Sequence, residues 1–306
     1  MSAISVKDIE KSYDKGAVQA LKGINLEIEQ GELFGLIGPD GAGKTSLFRI
    51  LSTLILPDSG SAKMMGLDVV KDLWKIRKIV GYMPGKFSLY QDLSIEENLN
   101  FFAKVFNTTV KENYHLIEDI YVQIEPFKKR RAGKLSGGMK QKLALCCALI
   151  HEPKILLLDE PTTGVDPVSR KEFWEMLGRL KEKGITVLVS TPYMDEASRC
   201  SRIALMQDGN VMEVDSLENI IAKNNMILFA LRSKEMHRLL KDLREYPGTF
   251  SAFAFGDEHH VRLDSEEEAE QLYAYLLHRG HELLNIRKIN PEIEDVFIQL
   301  MQEQNT

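Results

Sequence analysis

Residues 33–45 read LFGLIGPDGAGKT, and this stretch decides the fold. The first five residues are typical of a short buried strand, and the segment from Gly38 to Thr45 fits the pattern GxxxxGK[ST]. A helix is predicted to open at Gly43. In this context the glycines let backbone amides curl around phosphate oxygens, and the helix N-terminus favours negative charge. The stretch therefore predicts a phosphate-binding loop.

Charged and hydroxyl side chains at and near this loop predict nucleotide chemistry. Lys44 offers a positive charge to β- and γ-phosphates, and Thr45 offers a hydroxyl to Mg²⁺. The apolar run 155–158, ILLL, predicts a second buried strand that ends at Asp159 and Glu160. Ligands of parallel sheets bind at the carboxyl ends of strands. We therefore expect Asp159 to hold Mg²⁺, directly or through water, and Glu160 to polarise an attacking water.

Strand-like and helix-like segments alternate along the first two thirds of the chain. The short apolar runs 155–158 and 186–190 are separated by helical periodicity at 168–182. Such alternation predicts an α/β fold with a mostly parallel sheet and helices on both faces. The segment from about 92 to 150 is almost wholly helical in pattern, which predicts an all-helical subdomain.

The last 90 residues differ in composition from the rest. Residues 1–216 hold 29 basic and 29 acidic residues, whereas residues 217–306 hold 10 basic and 16 acidic ones. The whole net charge of −6 therefore lies in the second segment. Its pattern, β-α-β-β-α-β-α, predicts a small α+β domain of the ferredoxin-like kind with one extra helix, starting at Pro291. We expect His259 and His260 on the surface of its hairpin rather than in a metal site.

Composition excludes several classes of protein. A mildly acidic chain argues against a general nucleic-acid binder, and the run Lys128–Arg131 is interpreted as a solvated basic face. Apolar runs such as 143–150 are shorter than the roughly 20 residues of a membrane helix. The first residues show no apolar signal core, and three cysteines are too few for a disulfide framework. We expect a chain that does not cross a membrane and sits in a reducing compartment.

A second glycine motif narrows the class of protein. The sequence LSGGM at 135–139 opens a predicted helix, and its Ser136 stands 23 residues before Asp159. With the two motifs above, this order resembles the ATP-binding subunit of an ABC transporter, whose signature is LSGGQ. The resemblance covers about residues 3–216 and implies a P-loop NTPase cassette, with a helical subdomain at about 92–150 that contacts a membrane partner. The tail resembles the small C-terminal domain of drug-exporter-type subunits, through PxxEDVF at 291–297.

The resemblance implies ATP and Mg²⁺ as ligands, with Lys44 and Glu160 catalytic and Thr45 and Asp159 holding the metal. In this family the signature closes on ATP held by a partner cassette, and residues 164–167 resemble the D-loop that bridges the two sites. Tyr13 resembles the aromatic residue that stacks on adenine. The implied nucleotide contacts are Tyr13, Gly38, Pro39, Asp40, Gly41, Ala42, Gly43, Lys44, Thr45, Ser46, Ser136, Gly137 and Gly138.

Two positions depart from the family pattern. Gly85 stands where the family has a Gln that reads the γ-phosphate, and Pro192 stands where it has a His that contacts the γ-phosphate. Proline has no donor at all. Gln91 and the other histidines of the cassette, His115 and His151, are not placed in sequence to replace them. We therefore expect firm MgATP binding and weak hydrolysis at this chain's own loop.

Several functions fit these expectations. The first is the ATPase subunit of an exporter, peripheral on the cytoplasmic face of the cell membrane, with permease subunits and a second ATP-binding subunit as partners. A heterodimer with this chain as the degenerate half is favoured over a homodimer with compensated chemistry. The alternatives are a non-transport ABC protein and a nucleotide-gated regulatory subunit. Nucleic acid is not an expected partner, and the transported substrate is not encoded here.

Overall fold

The computed structural model describes residues 2–224 and 226–304. Contacts divide the chain into two compact units, Met1–Leu217 and Glu218–Thr306. Within the described residues, no helix has both the length and the apolarity needed to span a bilayer.

The first unit combines strands and helices in alternation. Its strands are β1 (Ser2–Tyr13), β2 (Val18–Glu29), β3 (Leu33–Ile37), β4 (Ser59–Met64), β5 (Leu67–Asp68), β6 (Val80–Met83), β7 (Ile155–Asp159), β8 (Thr186–Thr191), β9 (Arg202–Gln207) and β10 (Asn210–Asp215). Its helices are α1 (Lys44–Leu51), α2 (Leu73–Ile79), α3 (Ile95–Val105), α4 (Tyr114–Tyr121), α5 (Gly137–Leu149) and α6 (Pro167–Glu182). Short 3₁₀ turns lie at Asp14–Gly16, Glu125–Phe127, Ala132–Lys134 and Met194–Arg199.

The larger sheet has the strand order β10-β9-β3-β8-β7-β6. The pairs from β9 to β6 are parallel, and β10 runs antiparallel to β9. Every residue of β3, β7 and β8 is buried, because a parallel sheet covered on both faces needs near-continuous apolar strands. Strands β3 and β7 both pair in parallel with β8 between them. The phosphate loop after β3 and Asp159 at the end of β7 therefore reach the same edge of the sheet.

A second, antiparallel sheet was not predicted from the sequence. Its order is β2-β1-β4-β5. The alternation of buried residues in β1 breaks between Val6 and Ile9, where the pairing register shifts and Asp8 has a φ of 48°. A bulge of this kind hides the period-two pattern that marks a strand.

Strand β7 separates two apolar cores. Leu156 and Leu158 pack in one cluster with buried residues of α3, α4, α5 and α6. Ile155 and Leu157 pack in the other with residues of β1, β2 and α1. Successive side chains of a strand point to opposite faces, so the helical subdomain and the antiparallel sheet are both anchored on this strand.

The second unit is built on an antiparallel sheet of order β12-β13-β11-β14. Its elements, after α7 (Leu217–Lys223), are β11 (Ile227–Ser233), α8 (Met236–Glu245), β12 (Thr249–Phe255), β13 (Glu258–Leu263), α9 (Glu268–His278), β14 (Leu283–Ile289) and α10 (Ile293–Gln304). The last helix starts at Ile293, two residues after the predicted start at Pro291. The ferredoxin-like assignment stays a prediction.

The expected surface position of the histidine pair is wrong. His259 is 5% exposed, and its Nε2 lies 2.7 Å from the carbonyl oxygen of Met236. The Nδ1 atom of His260 lies 2.8 Å from a carboxylate oxygen of Asp295 on α10. Successive side chains of a strand point to opposite faces. His259 is in contact with α8 and His260 with α10, so neither is left on an open surface. Among the described residues, no group of three or more His, Cys, Asp or Glu is arranged to hold a metal ion.

Candidate nucleotide-binding site

The phosphate loop connects β3 to α1 at the carboxyl edge of the larger sheet. Helix α1 starts at Lys44, and Gly43 is its N-cap residue with a φ of 102°. A side chain at residue 43 would place Cβ 2.3 Å from the carbonyl oxygen of Ala20. Only glycine therefore fits this position, both for its backbone conformation and for its space.

Lys44 links the loop to the end of β7. Its side chain is 3% exposed, and Nζ donates to the carbonyl oxygens of Gly38 at 2.7 Å and Pro39 at 2.9 Å. The same ammonium lies 3.2 Å from Oε1 of Glu160. A buried ammonium needs such partners because desolvation of an unpaired charge is costly. The geometry therefore brings together the two side chains that sequence analysis assigned to catalysis.

The Asp159 carboxylate sits beside Thr45 at the same edge. Oδ1 of Asp159 accepts hydrogen bonds from Thr45 Oγ1 at 3.2 Å and from Ser190 Oγ at 2.7 Å. Hydroxyl and carboxylate oxygens are the ligands that Mg²⁺ prefers. Both predicted metal ligands thus meet, and their chemistry fits that ion.

Ser190, at the end of β8, is a site residue that the sequence analysis missed. Its hydroxyl and its carbonyl oxygen accept from the backbone nitrogen of Glu160, at 3.0 and 3.1 Å. Glu160 has a φ of 49°. This backbone conformation is unfavourable for any residue other than glycine, so it persists only where the surrounding structure holds it. Ser190 therefore holds both Asp159 and Glu160. The signal was available, since it is one of the few polar residues in the apolar run TVLVS.

Tyr82 on β6 borders this edge. Burial, with the nearby charge of Asp159 as the second cause, raises the pKa of the Tyr82 phenol to about 12. The phenol is therefore neutral near pH 7. It adds a polar group but no charge to the surroundings of the carboxylate.

Tyr13 lies beside the first turn of α1. Its hydroxyl oxygen is 3.2 Å from Oγ of Ser46, and Nζ of Lys11 lies 5.9 Å from the centre of its ring. The structure thus joins Tyr13 to the phosphate loop through Ser46. Its stacking on adenine stays a prediction.

The signature forms the start of α5 and packs against the segment that follows β7. Ser136 is the N-cap residue, is exposed, and accepts from the backbone nitrogen of Met139 at 3.3 Å. A Cβ at Gly138 would lie 2.7 Å from Ser169 Oγ, and one at Gly137 would lie 3.4 Å from the carbonyl oxygen of Gly164. The glycines therefore allow close approach to the segment that resembles the D-loop.

Gly85 and Pro192 each follow a strand of the larger sheet. A Cβ on Gly85 would be 3.1 Å from the Asp159 carbonyl oxygen and 3.8 Å from Cβ of Glu160. Pro192 directly follows β8, whose last residue, Thr191, donates a 2.5 Å hydrogen bond to buried Glu196. Position 85 therefore abuts the end of β7, and position 192 follows the strand that carries Ser190.

The polar residues considered as replacements lie elsewhere. Gln91 lies against the helical subdomain, where its backbone carbonyl oxygen accepts from the backbone nitrogen of Gly133 at 2.9 Å. His151 stacks on Phe106 with ring centres 3.9 Å apart, and its Nε2 lies 3.1 Å from the Val80 carbonyl oxygen. His115 is exposed on α4.

The fold and this geometry define the class as a P-loop nucleotide-binding cassette. The model of the family described as "ABC transporter" matches residues 21–163. The chain belongs to the ATP-binding proteins of the ABC transporter family.

Similar proteins support the assignment to this family. The chain is 38% identical over 306 residues to the probable multidrug ABC transporter ATP-binding protein YbhF of Escherichia coli K12, covering 98% of this chain and 52% of that protein. It therefore spans about half the length of that relative. It is 31% identical to the Nod factor export ATP-binding protein I of Rhizobium sp. N33, over 97% of this chain and 96% of that one.

A solved structure supports the cassette fold. The dimeric ATP-binding cassette MJ0796, in a post-hydrolysis state bound to ADP and Pi, has a TM-score of 0.63 and 28% identity. The match covers 70% of this chain and 98% of that one.

Proposed function

We propose that this chain is the ATP-binding subunit of an ABC exporter and powers membrane subunits that are separate chains. The observation that carries the proposal is the meeting of Lys44 with Glu160, and of Thr45 with Asp159, at one edge of the sheet. The names of two relatives, a probable multidrug ABC transporter ATP-binding protein and a Nod factor export ATP-binding protein, favour export over import.

We assign the following roles to the residues of the nucleotide-binding site. Lys44 and the other residues of the loop from Gly38 to Ser46, through the backbone amides of all but Pro39, bind the nucleotide phosphates, and Tyr13 stacks on the base. Thr45 and Asp159 hold Mg²⁺, which, when bound, neutralises charge on the β- and γ-phosphates. Glu160 orients the attacking water and accepts its proton. Ser136, Gly137 and Gly138 bind the nucleotide of a partner cassette through the start of α5.

We further propose that this chain is the degenerate half of a heterodimeric pair. Gly85 has no side chain to reach a γ-phosphate, and Pro192 has no donor. Removal of one preorganised donor typically costs about 10²–10³ in rate. The intact LSGGM segment still completes the site of a partner whose own Gln and His are present.

An apolar groove is the proposed docking site for the membrane subunits. It has a volume of about 750 Å³ and is lined by residues that include Trp74, Phe87, Phe102 and Phe106. Trp74 is 72% exposed, with the Arg77 guanidinium 5.0 Å from the centre of its ring, and an exposed apolar patch often marks an interaction site. A permease bound there places the chain peripherally on the cytoplasmic face of the cell membrane.

Nucleotide binding and turnover should be measured separately on the purified chain. We expect micromolar MgATP binding with little hydrolysis, and loss of binding in Lys44→Ala. Mixed with a partner cassette that carries both Gln and His, the chain should support turnover that Ser136→Ala reduces. Strong ATPase activity of the chain alone, abolished by Lys44→Ala, would instead establish a homodimer with compensated chemistry. Co-purification of ribosomes in place of a membrane protein would contradict the transport function.

A further inference from the structure

Four consecutive cations, Lys128, Lys129, Arg130 and Arg131, form a segment of the helical subdomain that we call the basic segment. Lys129, Arg130 and Arg131 are exposed, and Lys128 is partly so. Across residues 2–224 and 226–304, none of the four side chains lies within ion-pair distance of a carboxylate. The segment shares no residue with the lining of the apolar groove.

The backbone of the basic segment is fixed in place. The amides of Ile95 and Glu96, in the first turn of α3, donate to the carbonyl oxygens of Arg130 at 3.2 Å and Lys128 at 3.1 Å. Arg131 also forms an antiparallel bridge with Ser94. Since the first amides of a helix lack partners within it, these bonds stabilise both elements. The charges are therefore presented from a stiff support.

Carboxylates of the helical subdomain approach the basic segment without an ion pair in the described part of the chain; hydrogen bonds from Ser94, with the charge of Arg131 as a smaller cause, lower the pKa of Glu97. Glu97 completes the capping box of α3, where its Oε2 accepts from the Ser94 backbone nitrogen at 2.7 Å. Glu125 lies near the Tyr114 phenol, whose pKa is raised first by burial and then by the charge of Glu125. The positive charge of the basic segment is therefore not neutralised by contact within the subdomain.

Apolar side chains are exposed beside these cations. Phe127 is 39% exposed and Val122 is 54% exposed, and both border the same surface as Lys128, Lys129 and Arg130. The guanidinium of Arg130 lies 4.6 Å from the centre of the Phe127 ring. A small apolar patch surrounded by long cationic side chains suits the boundary between lipid headgroups and acyl chains.

We propose that the basic segment, with Phe127 and Val122, binds an anionic phospholipid surface and gives this chain a membrane contact independent of its permease. Cations next to a bilayer are attracted by the negative surface potential of acidic lipids. A single-stranded nucleic acid is disfavoured because the Arg130 guanidinium already stacks on Phe127, the aromatic residue of this surface on which a base would stack. A protein partner is distinguished from a lipid surface by the test below, because an interface between proteins need not be apolar. The proposal does not rest on the roles assigned at the nucleotide site.

The test is sedimentation of the full 306-residue chain with phosphatidylcholine vesicles, with and without phosphatidylglycerol. We expect binding only to vesicles that contain phosphatidylglycerol, weakening as salt screens the charges. The variant K128Q/K129Q/R130Q/R131Q should bind at least about tenfold more weakly, and Phe127→Ser a few-fold more weakly. The matched control K7Q/K15Q/K22Q/K63Q removes the same charge from the region of the antiparallel sheet and should bind like the wild type. Unchanged nucleotide affinity verifies that each variant is folded.

Three outcomes would overturn the proposal. Equal losses in the two quadruple variants would mean that net charge alone governs binding. Equal binding of the wild type to both kinds of vesicle would exclude recognition of anionic lipid. A basic-segment variant that binds vesicles normally but no longer captures a permease or an RNA would make the surface a docking site for that macromolecule instead.

Discussion

Ser190 Oγ donates a 2.7 Å hydrogen bond to Oδ1 of Asp159, and neither side chain is more than 3% exposed. The same hydroxyl accepts from the backbone nitrogen of Glu160. One buried group thus fixes the direction of the proposed metal ligand and supports the strained residue that follows it. A hydrogen bond to a carboxylate in a site of low dielectric is worth more than the same bond in water.

Ser190→Ala is expected to weaken ATP binding about ten- to a hundredfold in the presence of Mg²⁺, as loss of one charged hydrogen bond implies. Binding in EDTA should change much less, because the lost bond orients the metal ligand. Ser190→Thr keeps the hydroxyl and should restore the affinity. Thr186→Ala, at the other end of β8, is the control for strand stability alone. Equal losses with and without Mg²⁺ would show that Ser190 is merely structural.

Pro192→His is expected to raise the ATPase rate of the chain at least about tenfold, because it returns a donor that would face developing charge. Gly85→Gln should add to this effect, although its Cβ, 3.1 Å from the Asp159 carbonyl oxygen, requires a small shift of the backbone. Steady-state phosphate release provides the measurement, and Pro247→His, at an exposed site of the second unit, serves as control. Unchanged rates with unchanged ATP affinity would mean that these positions do not limit hydrolysis.

Gly43→Ala is expected to abolish measurable ATP binding and to lower the free energy of unfolding by about 1–3 kcal/mol. The added Cβ meets the Ala20 carbonyl oxygen at 2.3 Å, and the φ of 102° is unfavourable for alanine. Gly178→Ala is the contrasting variant, because a Cβ there meets nothing within 4 Å inside α6. It should stabilise the chain by about 0.5–1 kcal/mol. Denaturant unfolding and nucleotide titration would distinguish the two.

The first unit should lose stability as the pH falls below about 6.5, the usual pKa of histidine. Burial lowers the pKa of His151, so the unfolded chain takes up a proton that the folded chain resists. The contribution of His151 is therefore complete above the unfolded pKa and is lost as the pH falls through it. His151→Gln should flatten this slope, whereas the exposed control His115→Gln should not. Identical slopes in all three proteins, from urea unfolding at several pH values, would refute the assignment.

The motifs predicted the centre of the site because each is local in sequence. The phosphate loop, its preceding strand and its following helix occupy 33–51, so periodicity and glycine spacing suffice to place Lys44 and Thr45. The meeting of Thr45 with Asp159 also followed, since the carboxyl ends of parallel strands share an edge.

The parts that escaped prediction depend on contacts between distant segments. Ser190 meets Asp159 because β7 and β8 are paired in register, with Asp159 opposite Ser190. The antiparallel sheet escaped prediction because a bulge near Asp8 interrupts the alternation of buried and exposed residues that marks a strand. His259 and His260 are covered by packing that no local pattern reveals. Each of these is a tertiary effect, and periodicity describes only one element at a time.

The alternation of β7 also sets how this protein tolerates insertions and deletions. Loss of one residue from 155–158 would exchange the side chains that serve the two cores, and would draw Asp159 away from Thr45 by one strand position of about 3.3 Å. We infer that the number of residues from the start of ILLL to Asp159 cannot change. The individual apolar side chains of this run can still be exchanged for others of similar volume.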